Sequence, residues 1–315
     1  MRTKAAFSSV DSPRPLLGLI SLVAFGLLAL ALFGCSFFSG DKSDDQKAAS
    51  DAAPLGELRP AGEEEYYKGD FKGARPLLTQ AGRSGNLRAA FFLRIITEYG
   101  LDGLLPNPDE ADTLLNLLAA HKDTLTLWAK DGPRPERPIY QASLAILYLR
   151  GYISELPDSN QALPLARLSA SSGFYPAMNI LAAALLGSSS EATKATSNAQ
   201  IEAYQAVYRA AFAGDVLAMG NISYLTRLGI GTTAAPFMAA TWSHRAANLP
   251  QTTARSLNDL GFFYEEGRAV SPDLAEATKW YTLADQRGYP LAAANLKRLK
   301  SQAKTPPEVY DFIEY

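Results

Sequence analysis

The chain has 315 residues, 47% of them apolar and 20% charged, an ordinary composition for a folded globular protein. A net charge of −2 and a sequence pI near 5.8 give no basic footprint, which argues against nucleic acid as a partner. A single cysteine, Cys35, excludes an internal disulfide framework, and the two histidines, His121 and His244, stand far apart without further metal-ligand spacing.

Arg2, Lys4 and Arg14 precede residues 16–34, a run without a charge that ends just before Cys35. A positive start, an apolar stretch and a small residue before the cut describe a signal peptide over residues 1–34. The same stretch is also long enough to span a bilayer as an uncleaved anchor, with its positive flank on the cytoplasmic side. Both readings carry the body of the chain across the inner membrane. The window Leu32 to Cys35, LFGC, resembles the lipobox of bacterial lipoproteins. That resemblance implies cleavage between Gly34 and Cys35 and a lipid, palmitate-type anchor on the Cys35 thiol. In the lipoprotein sorting pattern an Asp after the Cys retains the protein at the inner membrane. Ser36 stands there instead and implies an outer-membrane address facing the periplasm. Residues 35–57 are mostly small, charged and polar, too poor in apolar groups to order themselves. They describe a tether with a reach of roughly 25–30 Å.

From residue 58 to about 300 the sequence repeats. A Gly or Pro followed four residues later by Ala recurs at Gly85–Ala89, Pro138–Ala142, Gly173–Ala177, Gly214–Ala218, Pro250–Ala254 and Gly288–Ala292. After each Ala comes an apolar helical run, and the runs stop at Gly100, Gly151, Gly187, Gly229 and Gly267, where glycine suits a left-handed helix terminator. A second helical run follows each loop. Ala81, Ala210, Ala246 and Ala284 stand four residues before the next start, with Ser169 in that place once. Small residues at matched positions let helix axes approach closely. No alternating strand pattern appears. Two helices per unit at this period predict an all-α chain, an α-solenoid of stacked antiparallel helix pairs. Two prolines, Pro306 and Pro307, end the pattern, and the tail over 301–315 crowds Tyr310, Phe312 and Tyr315 among acids. Such a tail either caps the last helix or docks on a partner.

Residues 254–294 resemble a Sel1-like repeat, a relative of the tetratricopeptide repeat. Ala254, Leu260, Gly261, Tyr264, Gly267, Asp273, Ala277, Trp280, Tyr281, Ala284, Gly288 and Ala292 carry the resemblance. Residues 142–177 match through Tyr148, Gly151, Ala162, Ala166, Gly173 and Ala177, and the other copies are degraded. The resemblance implies a right-handed superhelix that binds other proteins, with a client peptide or domain on its concave face. Sel1-like arrays also occur in outer-membrane lipoproteins that support polysaccharide export and in Cys-rich secreted proteins. The paired cysteines of that last group are missing here.

The visible candidates for chemistry have structural explanations beside them. Trp280 and Tyr281 form either a stacking platform or interhelical packing, and Trp128 and Trp242 sit in similar runs. Glu265, Glu266 and Asp273 form either an acid–base pair or solvated acids at helix ends, with Asp273 complementing a helix dipole. Glu63, Glu64 and Glu65 lead a solvated first helix. No P-loop, nucleophile elbow or HExxH motif is present, so the sequence calls for no enzyme activity, metal or cofactor. The expected function is a membrane-anchored envelope scaffold or adaptor whose partners are other envelope proteins or peptides. Tyr204 and Tyr224 are candidate contact residues. The alternative is an envelope enzyme or glycan-binding subunit acting on cell-wall or polysaccharide material. Metabolic labelling with a fatty-acid probe is expected to mark the wild-type chain and to lose that label in Cys35→Ser. Equal labelling would refute the anchor.

Overall fold

The computed structural model describes residues 59–154, 156–187, 197–267 and 270–301. The leader (1–34), the tether (35–57) and the tail beyond Ser301 lie outside them. The described residues form fourteen helices and no strand. They are α1 (Glu63–Tyr67), α2 (Phe71–Arg83), α3 (Leu87–Tyr99), α4 (Pro108–Ala120), α5 (Lys122–Asp131), α6 (Arg137–Leu149) and α7 (Ser159–Ser171). There follow α8 (Tyr175–Gly187), α9 (Asn198–Phe212), α10 (Val216–Leu228), α11 (Pro236–Ala247), α12 (Ala254–Glu266), α13 (Leu274–Gln286) and α14 (Pro290–Ser301).

The order is that of an α-solenoid. The first helices of the pairs, α3, α6, α8, α10, α12 and α14, make an inner layer. The second helices, α4, α7, α9, α11 and α13, each pack against the inner helix before them and the one after. Inner helices also touch one another, as α3 does α6 and α10 does α12. Helix α5 is an insertion, which lengthens the first interval. Inner helices before the terminal α14 are sunk on most sides: α12 buries every residue from Ala254 to Phe263. The outer helices bury one stripe, as α13 does through Ala277, Tyr281 and Ala284.

Local chemistry sets the ends of these helices. Asn86, Asp215 and Thr253 cap α3, α10 and α12 by accepting from the backbone N–H of Ala89, Ala218 and Ser256 at 3.0, 2.7 and 3.1 Å. Gly214 precedes one such cap with φ +106°, and a Cβ there would meet nothing within 4 Å. Backbone conformation alone therefore demands glycine at that turn. Helices α3, α10 and α12 stop on left-handed Gly100, Gly229 and Gly267. Gly151 is also left-handed, one residue past the C-cap of α6.

One backbone bond fixes the register of each of four pairs. The N–H at the N-cap of the outer helix donates to a carbonyl near the end of the inner one. The bonds are Asn107 to Thr97 (2.9 Å), Asp158 to Tyr148 (2.9 Å), Ala235 to Thr226 (3.0 Å) and Asp273 to Tyr264 (2.9 Å). Counting back eight residues from these acceptors gives Ala89, Tyr140, Ala218 and Ser256 as equivalent. Ala142 and Ala254, and with them Pro138 and Pro250, are thus two residues out of register. Prolines at the turns produced that offset. Ser256 fills the small-residue position in α12, while Tyr140 fits in α6 because the inserted α5 lies there, with Trp128 and Tyr140 ring centroids 5.6 Å apart. Gly187 departs from its expected role as a stop. It is the last helical residue of α8 and not left-handed, and the equivalent of Gly229 falls at 188, outside the described residues.

Small residues do bring the layers together. Ala89, Ala177, Ala218 and Ala292 on inner helices are fully buried, as are Ala210, Ala246, Ala277 and Ala284 on outer ones. Ser169 is buried too and donates its hydroxyl to the Pro138 carbonyl at 2.5 Å. Gly261 shows how tight the fit is: a Cβ there would lie 2.8 Å from Cδ1 and Cε1 of the fully buried Tyr281. At the matching place in the preceding pair, Ser223 and Ser243 face each other with hydroxyl oxygens 2.8 Å apart. A glycine opposite a tyrosine and a serine opposite a serine are two volume solutions to one interface.

The first helices also reach units far along the chain. Tyr66 and Phe71 share a cavity of about 270 Å³ with Asp215, Val216 and Gln251. A Cβ on Gly288 would meet Leu105 of the α3–α4 loop at 3.4 Å. Gly261→Ala is expected to lower stability by about 1–3 kcal/mol through overpacking. Chemical denaturation of the pair Gly261→Ala and Gly214→Ala separates the causes, since only the second acts through backbone strain. Tyr281→Phe should not relieve the Gly261→Ala defect, because the ring remains.

Candidate functional site

Most side chains singled out from the sequence serve packing. Tyr281 is fully buried and donates its hydroxyl to Glu265 Oε2 at 2.9 Å, and Glu265 also receives Arg298 of α14. Burial, followed by the Glu265 charge, pushes the Tyr281 phenol well above its ordinary range. The arrangement ties three helices together and leaves Glu265 engaged on both sides. Trp280 is half-buried against the cluster of Leu257, Leu260 and Tyr289, with Lys279 Nζ 5.2 Å from its ring centroid. Asp273 caps α13 by accepting from the N–H groups of Ala275 and Glu276 at 2.9 and 3.0 Å. Trp128 and Trp242 are 8% exposed.

The histidines have separate settings. His121 sits between α4 and α5, where Nδ1–H donates to the Leu117 carbonyl at 2.9 Å, and His244 is exposed on α11. Among the described residues no group of three or more His, Cys, Asp or Glu side chains could hold a metal ion. Cys35 lies outside the described residues.

The inner layer holds a buried polar chain that the sequence reading missed. Asn221 donates to Asn179 at 3.2 Å, Asn179 donates to Asp215 at 3.2 Å, and Arg255 reaches Asn221 at 3.4 Å. Arg255 also pairs with Asp259 at 3.4 Å. Burial lifts the carboxyls of Asp215 and Asp259, against the hydrogen bonds and the Arg255 charge that lower them. Tyr224 lies under the guanidinium groups of Arg227 and Arg255, at 5.6 and 5.8 Å. These groups engage each other within the layer. No spacing rule flags them, because Asn and Asp on apolar helices carry no periodic signal of their own.

Glu63, expected to be solvated, is 7% exposed. Its carboxylate takes Arg88 Nη2 at 2.6 and 2.7 Å, while Arg88 Nη1 reaches Glu136 at 3.0 Å. Arg88 is 2% exposed, so the burial of this ion needs both acids. The group forms one wall of a solvent-open cleft of about 940 Å³ between α1, the turn before α6 and the start of α8.

A row of exposed aromatic rings lies on the outer layer. Tyr204, Tyr208 and Phe212 follow at i, i+4 and i+8 along α9, so they share one face. Their rings run stacked at 6.2 and 6.3 Å. Trp242 of α11 meets Tyr208 edge-on at 6.0 Å, and Arg245 lies 5.5 Å from the Trp242 ring centroid. Tyr208 is 40% and Phe212 70% exposed, and Phe237 and Met238 on α11 are exposed as well. Arg209 and Arg245 stand exposed on these same helices. A stacked, half-covered aromatic row with arginines beside it offers rigid contact area at low entropic cost.

Comparison with known proteins bears on the repeats. Residues 138–174, 216–250 and 254–289 match the Sel1 repeat family. Each match begins two residues before Tyr140, Ala218 or Ser256, in agreement with the register set by the backbone bonds. No curated protein matches the chain. Among solved structures, one similar chain is c5321, a protective antigen of uropathogenic Escherichia coli displaying an SLR fold. It is 24% identical over 83% of this chain and 52% of that one, with a TM-score of 0.49. This chain therefore spans about half the length of that antigen. A Sel1 repeat protein from Oxalobacter formigenes is 25% identical over 60% of this chain and 75% of that one, with a TM-score of 0.47. The chain is thus an array of helix pairs in which residues 138–174, 216–250 and 254–289 match the Sel1 repeat.

Proposed function

We propose that the protein is an envelope adaptor, lipid-anchored through Cys35, that holds another protein on the aromatic row of α9 and α11. The observation that carries the reading is the stacked Tyr204–Tyr208–Phe212 face with Trp242 and Arg245 beside it. Sel1 repeats supply the scaffold class, and the LFGC window with its apolar leader supplies the anchor. Large aromatic groups next to arginine are the commonest energetic centres of protein interfaces. Arg209 and Arg245 favour a partner that brings acidic groups to the rim.

The inner layer suits a client less well than its concave position suggests. Most of its side chains are buried against each other, and its open part is the cleft beside α1, which α1 itself partly occupies. The outer row needs no rearrangement.

Crosslinking followed by pull-down from membranes tests the reading. The double variant Tyr208→Ala/Phe212→Ala is expected to reduce recovery of the partner at least about tenfold, consistent with the loss of two central contacts. Its helical circular dichroism should match the wild type, because both side chains are exposed. Undiminished recovery would remove the row from the interface.

A further inference from the structure

Helix α1 is built as a strap. It is only five residues long, and Gly62 before it and Gly69 after it hold φ +98° and +77°. The glycines give both ends of the segment a conformation that other residues rarely adopt. Between them α1 is held at two points. Glu63 takes the buried Arg88 through both carboxylate oxygens. Three residues later, Tyr66 enters a ring cage, 5.1 Å from Phe71 and 4.6 Å from Phe92 between centroids.

Open space lies on both flanks of the strap. The cleft of about 940 Å³ runs along one side, and the cavity of about 270 Å³ lies on the other. Tyr67, Lys68 and Tyr175 line both. Tyr67 is 52% and Tyr175 40% exposed. The segment therefore lies across a single depression rather than filling it. The floor beneath is lined by Arg88, Phe174, Val216 and Leu217, groups from repeats distant in sequence.

We propose that α1 is a displaceable occupant of a peptide-binding groove, and that the groove accepts a partner peptide with a carboxylate and, three residues on, an aromatic ring. The resident segment defines the chemistry. A competitor must bring a carboxylate to Arg88, since lifting Glu63 removes the cation's two-oxygen partner and leaves Glu136 as its one remaining carboxylate. It must also bring a ring to the cage that Tyr66 leaves. A free carboxylate ion supplies the first and not the second, so a peptide is the matching class. This groove is separate from the α9–α11 row, and each can fail without the other.

Two measurements on the full chain test the proposal. In native-state hydrogen exchange, the amides of residues 65–69 are expected to exchange at least about a hundredfold faster than those of Ile95, Ile96 and Thr97 in α3, the signature of local opening. Equal protection would overturn it. In the second, a fluorescein-labelled peptide of the strap sequence, AGEEEYYKGDF, serves as the probe. Glu63→Gln keeps the shape but weakens the hold on Arg88, and is expected to bind the probe at least about tenfold more tightly than the wild type. Probes with the first Glu changed to Gln, or the first Tyr to Ala, should lose that gain. Should Glu63→Gln not fold, Lys68→Ala removes the exposed Glu64 contact at 2.5 Å within α1 without touching Arg88, and should shift binding in the same direction. Tyr208→Ala/Phe212→Ala should leave probe binding unchanged. No binding to any variant, or equal affinity across wild type and variants, would refute the strap as an occupant.

Discussion

The structure rests on a single recurring backbone hydrogen bond. In each of four pairs, the N–H that opens the outer helix closes on a carbonyl late in the inner helix, as Asp273 does on Tyr264. That bond sets the rotation of one helix against the other and so decides which residues meet. Only then do small side chains matter. Gly261 meets Tyr281 and Ser223 meets Ser243 because the two turns present them at equivalent heights. Shifting the register by a residue would set the Tyr281 ring against a side chain in place of Gly261.

Architecture was largely legible in the amino-acid order. Left-handed glycines at the ends of inner helices and alanines at the interfaces are signals of geometry, and both recur at a readable interval. The errors arose where proline imitated glycine. Pro138 and Pro250 stand at turns, yet Pro138 lies two residues beyond the position equivalent to Gly214 and Pro250 two residues before it. The capping side chain Thr253 was the better guide, since it accepts from Ser256 as Asp215 accepts from Ala218. Residue 187 misled for a simpler reason, as it stands one place short of the position equivalent to Gly229.

Surface chemistry was much less legible. Trp280 and Tyr281 draw the eye in the sequence, but their partners are Leu257, Leu260 and Glu265 within the fold. The row on α9 depends on a helical spacing of four that any buried stripe also shows, and only exposure tells the two apart. Tyr204 belongs to that row, while Tyr224 is covered by two arginines. Arg88 was silent in the sequence, because its acids come from positions 25 residues before and 48 after it.

Contacts between the beginning and the end of the array change what kind of object it is. A repeat array in which each unit meets only its neighbours can lose a terminal unit and keep the rest, with stability falling step by step. Here Leu105 approaches Gly288, and Tyr66 and Phe71 share a cavity with Gln251. These long-range contacts make the stability of the last pairs depend on the first helices. Melting should then be closer to all-or-none than a linear array allows, and removing α1 and α2 should loosen the pairs at the other end of the array.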